Sequence, residues 1–185
     1  QSNRARGPRE AAPSAPFRRF SVGGLANYRL GPEWVDFERG NWVATPRTRI
    51  LFEGRTAYGG NSEIPFHVTS IDWQESDQVL AGLLTAFGRP TSEVEVAGRG
   101  TFDGVMQGSF SSPRIEGAFV ADGLRLWDVL WGRWTGDVIV EDGYVDVAHG
   151  NVIDGGSEIQ LDGRFAFSYP RMDGGEEINA TFQIA

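Results

Sequence analysis

From Trp34 onward, apolar and polar residues alternate along the chain. Val35 and Phe37 alternate with Asp36 and Glu38, Ile50, Phe52, Gly54 and Thr56 with Arg49, Glu53 and Arg55, and Ile64, Phe66 and Val68 follow. The period returns in Val94, Val96 and Gly98, in Ile115, Gly117 and Phe119, and in the pairs Val138/Val140 and Val145/Val147. It closes with Ile159, Leu161, Gly163, Phe165 and Phe167, then Ile178, Ala180, Phe182 and Ile184. A period of two puts successive side chains on opposite faces of a strand, so each run predicts a strand with one buried and one wet face. Turn chemistry stands between the runs at Arg39-Gly40-Asn41, Gly59-Gly60-Asn61, Asp103-Gly104, Asp122-Gly123, Asp142-Gly143, Asp154-Gly155-Gly156 and Asp173-Gly174-Gly175. Asp-Gly favours the φ > 0 conformations of tight hairpins. The pattern predicts a mainly β fold built as an antiparallel meander.

One segment breaks the period. Val79, Leu80, Leu83, Leu84 and Phe87 recur at the spacing of one helix face. Asp72 with Glu75 three residues later resembles a capping box, Ser76 offers a second cap, and Gly88 and Pro90 supply a stop. This predicts an amphipathic helix over 74–87 between two β blocks, its apolar face covering an open end of the sheet.

Charge divides the chain. All 17 basic residues are arginine, set against 25 acids for a net charge of −8. Residues 1–20 carry Arg4, Arg6, Arg9, Arg18 and Arg19, a single acid and three prolines, the composition of a disordered linker. Residues 21–185 therefore hold 12 arginines against 24 acids. Such a body repels phosphate backbones, which makes nucleic acid an unsuitable partner. No cysteine is present, so disulfides and thiolate metal sites are excluded. A chain opening at Gln1 without a signal-type apolar run reads as a processed or excised piece.

The chain also matches itself. Val35-Asp36-Phe37-Glu38-Arg39-Gly40-Asn41-Trp42 aligns with Val145-Asp146-Val147-Ala148-His149-Gly150-Asn151-Val152, an offset of 145 − 35 = 110. Phe52-Glu53-Gly54-Arg55 then aligns with Leu161-Asp162-Gly163-Arg164, an offset of 161 − 52 = 109. The match, 35–58 against 145–167, reads residues 21–185 as about one and a half repeats of an array whose neighbours bury one another's open ends.

Catalytic constellations are missing from the sequence. His67 and His149 fall on polar sides of predicted strands, no G-x-S-x-G elbow supplies a nucleophile, and two distant histidines do not make a zinc site. Asp137, Glu141, Asp142 and Asp146 lack the spacing of a calcium loop and read as wet-face and turn acids. Gly98-Arg99-Gly100 has no following helix to bind phosphate and reads as a strand bulge. Trp127, Trp131 and Trp134 serve as packing aromatics or as a sugar platform. The expectation is a non-enzyme without cofactor or metal.

The segments Gly98-Arg99-Gly100-Thr101-Phe102-Asp103-Gly104, Ser112-Pro113-Arg114-Ile115-Glu116-Gly117 and Gly155-Gly156-Ser157-Glu158-Ile159-Gln160-Leu161-Asp162-Gly163 resemble the TamB family of bacterial translocation and assembly module proteins, relatives of AsmA-like proteins. The resemblance runs from about Trp34 to Ala185 and corresponds to a middle segment. It implies a β-taco, a curled sheet of stacked repeats with a hydrophobic groove. It further implies anchorage to the inner membrane, a periplasmic location, and a role in phospholipid transport and outer-membrane protein assembly. The implied partners are phospholipid acyl chains, neighbouring repeats, and an outer-membrane assembly protein of the Omp85 type. The expected groove lining is Phe52, Phe66, Val68, Val94, Val96, Phe119, Val138, Val145, Leu161, Phe165 and Phe182. The alternative is a structural or adhesive β-solenoid domain of a secreted protein, in which the same rows close a dry core.

Overall fold

The computed structural model describes residues 21–57, 60, 62–86, 96–109, 112–126, 129–141, 143–166 and 177–183. They form one curled, open antiparallel sheet of eleven strands with one helix. Two short strands, β1 (Gly23–Leu25) and β2 (Tyr28–Leu30), lie on the outer edge of β3 (Trp34–Ala44). Then follow β4 (Thr48–Ala57), β5 (Ser62–Ser70), α1 (Trp73–Ala86), β6 (Val96–Ser109), β7 (Ser112–Leu126), β8 (Val129–Glu141), β9 (Tyr144–Asp154), β10 (Ser157–Ala166) and β11 (Glu177–Gln183). From β3 to β11 the order in the sheet is the order in the chain. The expected linker 1–20, together with Val94, Phe87, Gly88, Pro90 and Trp127, lies outside the described residues.

Three expected turns are not turns. Asp103-Gly104 sits inside β6, Asp122-Gly123 inside β7 and Arg39-Gly40-Asn41 inside β3. The last two are irregularities, where the register shifts between Phe37 and Asn41 and between Ala121 and Leu124. Bulges bend a strand and raise its twist, so strands of up to 15 residues curl instead of stopping. Gly104 has a different reason for its glycine. It pairs with Gly117, where an added Cβ would stand 2.1 Å from the Asp103 carbonyl oxygen and 2.5 Å from the Gly104 Cα. Two backbones meet there with no room for a side chain, while the Phe102 ring covers Gly104. Gly98-Arg99-Gly100 is the bulge expected of it, with a shift between Ala97 and Arg99.

The helix starts one residue earlier than expected, and its anchoring differs from a capping box. The Asp72 carboxylate accepts from the Gln74 N–H at 3.1 Å, an N-cap contact. Glu75 does not reach back to Asp72. Its buried carboxylate accepts from the Thr45 hydroxyl and from the Arg47 N–H at 3.0 Å, which ties the first turn to the β3–β4 turn. Ser76 is likewise no cap: its hydroxyl joins Thr48 and Ser70 at 2.7 and 2.8 Å. These polar anchors lead the helix over interior strands, against β6 and β4, and not over an open sheet end.

The two segments that match in sequence form two hairpins with corresponding ladders. Phe37 opposes Gly54 as Val147 opposes Gly163, and Val43 opposes Ile50 as Val152 opposes Ile159. The bulges between these pairs differ in size: β3 loops out Glu38, Arg39 and Gly40 opposite Glu53, whereas β9 loops out Ala148 and His149 opposite Asp162. The missing residue of the second copy is therefore lost in the bulge. By ladder position Gly40 corresponds to His149, and both adopt left-handed backbone, φ +88° and +53°. The sequence match of Gly40-Asn41 with Gly150-Asn151 is consequently one residue off. Asn41 is fully buried, with its side chain bonded to the Asn27 N–H at 2.6 Å and C=O at 2.9 Å. Asn151, by contrast, alternates with buried Gly150 and Val152 and shares its face with Thr135. A one-residue slip moves a side chain to the opposite face of a sheet.

Candidate functional site on the apolar face of the sheet

Directly opposed residues of neighbouring strands share a face, so the registers trace one apolar surface across the sheet. Phe52 opposes Phe66, Val68 opposes Phe102, and Phe102 opposes Phe119. Val138 opposes Gly117 and Val147, Val145 opposes Val140 and Phe165, Leu161 opposes Ala180, and Phe182 opposes Ile159. Val96 opposes Leu126, which packs against the same core. The ten described residues of the expected lining thus lie on this face.

The face is not uniform. Around α1 it is dry: Trp73 packs with Val68, Ala121, Leu124, Trp134 and Val152, all buried. The Trp73 ring stands 5.0 Å from Phe119, which stands 5.0 Å from Trp134. Val68, Phe66, Val96, Phe119 and Val138 belong to or pack against this core. Away from it Phe52, Val145, Leu161 and Phe165 are half-buried, and Phe182 is 64% exposed. Of the three tryptophans singled out above, Trp134 is core and Trp131 packs against it. Trp73 is missed because the expected helix begins at residue 74, although Trp73 stands seven residues before Leu80 and so in line with the apolar stripe.

The opposite face is polar and pairs its charges, across strands except for Arg114 with Glu116, both in β7. Arg55 meets Asp36, Arg164 meets Asp146, and Arg114 meets both Glu116 and Glu141, at 2.8–3.5 Å. Glu116 and Glu141 hold the Arg114 guanidinium further above its ordinary value. A shallow depression of about 710 Å³ over the β3 bulge is lined by Arg29, Asp36, Glu38, Arg39, Glu53 and Arg55 among others, a charged surface unsuited to acyl chains. Neither histidine is isolated: His67 pairs with Asp103 and His149 with Asp137. Of the expected acid cluster, Asp137, Glu141 and Asp146 have separate partners and Asp142 lies outside the described residues, and no group of three or more His, Asp or Glu among the described residues is placed to hold a metal ion.

His149 gives a pH-dependent expectation. Its hydrogen bond to Asp137 raises its pKa above the ordinary 6.5. A raised folded-state pKa contributes stability that is fully present below the unfolded value and is lost as pH rises through the folded one. NMR titration should place the His149 midpoint above 6.5, and Asp137→Asn should lower it. Once His149 is neutral, His149→Gly should stabilise the protein, because only glycine adopts left-handed backbone without cost. Thermal denaturation above and below the His149 midpoint checks the sign.

No family model matches the chain, and no curated protein or solved structure matches it either. No helix among the described residues is long and apolar enough to cross a membrane.

Proposed function

We propose that this chain is a segment of a TamB-like lipid transport protein, whose apolar face holds phospholipid acyl chains between two membranes of a cell envelope. The observation that carries the reading is the continuity of that face, from Phe52 to Phe182, on which Phe52, Val145, Leu161 and Phe165 are only half-buried and Phe182 is 64% exposed among the described residues. Acyl methylenes gain about 0.8 kcal/mol each on leaving water for an apolar surface, so a partly lined face suffices to hold a chain. Here the residues act on acyl chains by non-covalent contact alone, a role of conduction. In this reading the segment stands in the periplasm, is anchored to the inner membrane through another part of its protein, continues into neighbouring repeats, and supports outer-membrane protein assembly with a partner of the Omp85 type.

The buried cluster around Trp73 favours a second reading, a structural or adhesive β-solenoid domain whose apolar face is a closed core. Photocrosslinking separates the two. A reactive group at Val145 or Phe165 captures phospholipid in the first reading and only protein in the second.

A further inference from the structure

Charge along the chain changes sign at Glu33. Residues 1–32 hold 6 arginines and 1 acid, 6 − 1 = +5, while residues 33–185 hold 11 arginines and 24 acids, 11 − 24 = −13. No acid at all stands between Glu10 and Glu33, where Arg18, Arg19 and Arg29 are interspersed with the large apolar residues Phe17, Phe20, Val22, Leu25, Tyr28 and Leu30. Residues 21–30 of this stretch are described, and every one of them is exposed, with Val22, Leu25, Tyr28 and Leu30 between 46% and 66%. A basic segment whose large apolar side chains face water is the composition of a surface that meets an anionic, partly apolar partner.

These apolar side chains stand on both faces of β1 and β2. Leu25 opposes Trp42, which opposes Leu51 on the polar face, whereas Tyr28 opposes Phe37 and Leu30 opposes Val35 on the apolar face. A partner laid on one face would cover only one of these sets. A lipid interface entered edge-on covers both, because the boundary between head groups and acyl chains takes in apolar side chains to a depth of about 5–10 Å while polar groups stay wet. The backbone between the two strands is already satisfied, since the Asn41 side chain bonds the N–H and C=O of Asn27. The nearest acids are neutralised by arginines of the sheet, Asp36 by Arg55, Glu38 by Arg29 and Glu53 by Arg39, so they oppose the approach of an anionic surface far less than their number suggests.

We infer that residues 17–30 dock this edge of the sheet on an anionic lipid surface, with the arginines on head-group phosphates and the apolar side chains in the boundary beneath them. Two signals act together, as stable attachment to a membrane surface requires. Each arginine near such a surface strengthens binding about fivefold, and the exposed apolar side chains leave water. The −13 of residues 33–185 turns the rest of the sheet away from the same surface, so charge also sets the orientation. The inference does not rest on the proposed function, because it needs no acyl chain on the apolar face.

Co-sedimentation of the full chain with vesicles of equal parts phosphatidylglycerol and phosphatidylcholine tests it. The chain should bind these vesicles, bind pure phosphatidylcholine about tenfold more weakly or worse, and be released by added salt. Arg18→Gln with Arg19→Gln should weaken binding about 25-fold, and Phe17→Ser with Phe20→Ser about tenfold or more. Arg99→Gln with Arg133→Gln, both exposed in the body of the sheet, should change it little. The chain has no cysteine, so Leu30→Cys and Asp154→Cys each accept one environment-sensitive fluorophore. The label at position 30 should shift to the blue on the mixed vesicles and the label at 154 should not. Equal binding to pure phosphatidylcholine, binding to neither vesicle, full binding by either the arginine or the phenylalanine variant, or a shift at position 154 alone would overturn the inference. So would polyglutamate bound as tightly as the mixed vesicles, which would make the partner an acidic polypeptide. Phospholipid captured from Val145 or Phe165 by a chain that does not bind these vesicles would remove this inference and leave the proposed function standing.

Discussion

Replacing Trp73 by alanine is expected to lower the unfolding free energy by about 3–5 kcal/mol, the cost of truncating a buried aromatic side chain. Trp73 is 8% exposed and joins the helix to Phe119, and through it to Trp134, so its loss opens the centre of the buried cluster. The hydrogen bonds of Glu75 would remain, which leaves the first helical turn tethered while its apolar contact is gone. Trp73→Phe should cost far less than alanine. The indole Nε1 is buried without a hydrogen-bond partner, and its removal relieves a desolvation cost while most of the ring contact stays. Urea denaturation measures both variants, and equal losses for alanine and phenylalanine would contradict this account of the cluster.

The second large effect is expected at Gly117. A methyl group there meets the Asp103 carbonyl oxygen and the Gly104 Cα of β6, at 2.1 and 2.5 Å, and backbone cannot rotate aside as a side chain can. Gly117→Ala should therefore force β6 and β7 apart and destabilise the protein by about 3 kcal/mol, the upper range for overpacking. Gly82 supplies a control of opposite sign. It is exposed in the helix with nothing within 4 Å of an added Cβ, so Gly82→Ala should stabilise by about 1 kcal/mol through helix propensity. A Gly117→Ala variant as stable as the parent chain would mean that the two strands do not approach as described.

Much of this fold was legible in the alternation. The period of two assigns Phe52, Phe66, Val145 and Phe165 to one face because inward and outward side chains differ in polarity at nearly every step. Strand ends were less legible. Gly40 and Gly123 carry the same local chemistry whether they close a hairpin or form a bulge, and only pairing with the neighbouring strand decides between them. The repeat shows the same limit, since Gly-Asn matches Gly-Asn in sequence while the ladder sets Gly40 against His149. Trp73 was missed for another reason: it stands seven residues before Leu80, in line with the apolar stripe, but one residue outside the helix expected from 74, and the contacts of Thr45, Arg47 and Glu75 that fix where the helix begins join segments far apart in sequence.

Lipid capture by the apolar face is the claim on which the functional reading depends. The direct measurement is site-specific photocrosslinking in envelope-bearing cells, with the reactive side chain placed in turn at Val145, Phe165 and Phe182 on the apolar face and at Asp146, Arg164 and Thr181 on the other. Each of the first three neighbours one of the second three in sequence, so the comparison isolates the face from the position along the strand. The account predicts phospholipid adducts at Val145, Phe165 and Phe182 and none at their neighbours. Adducts at both sets alike, or at neither, would contradict it.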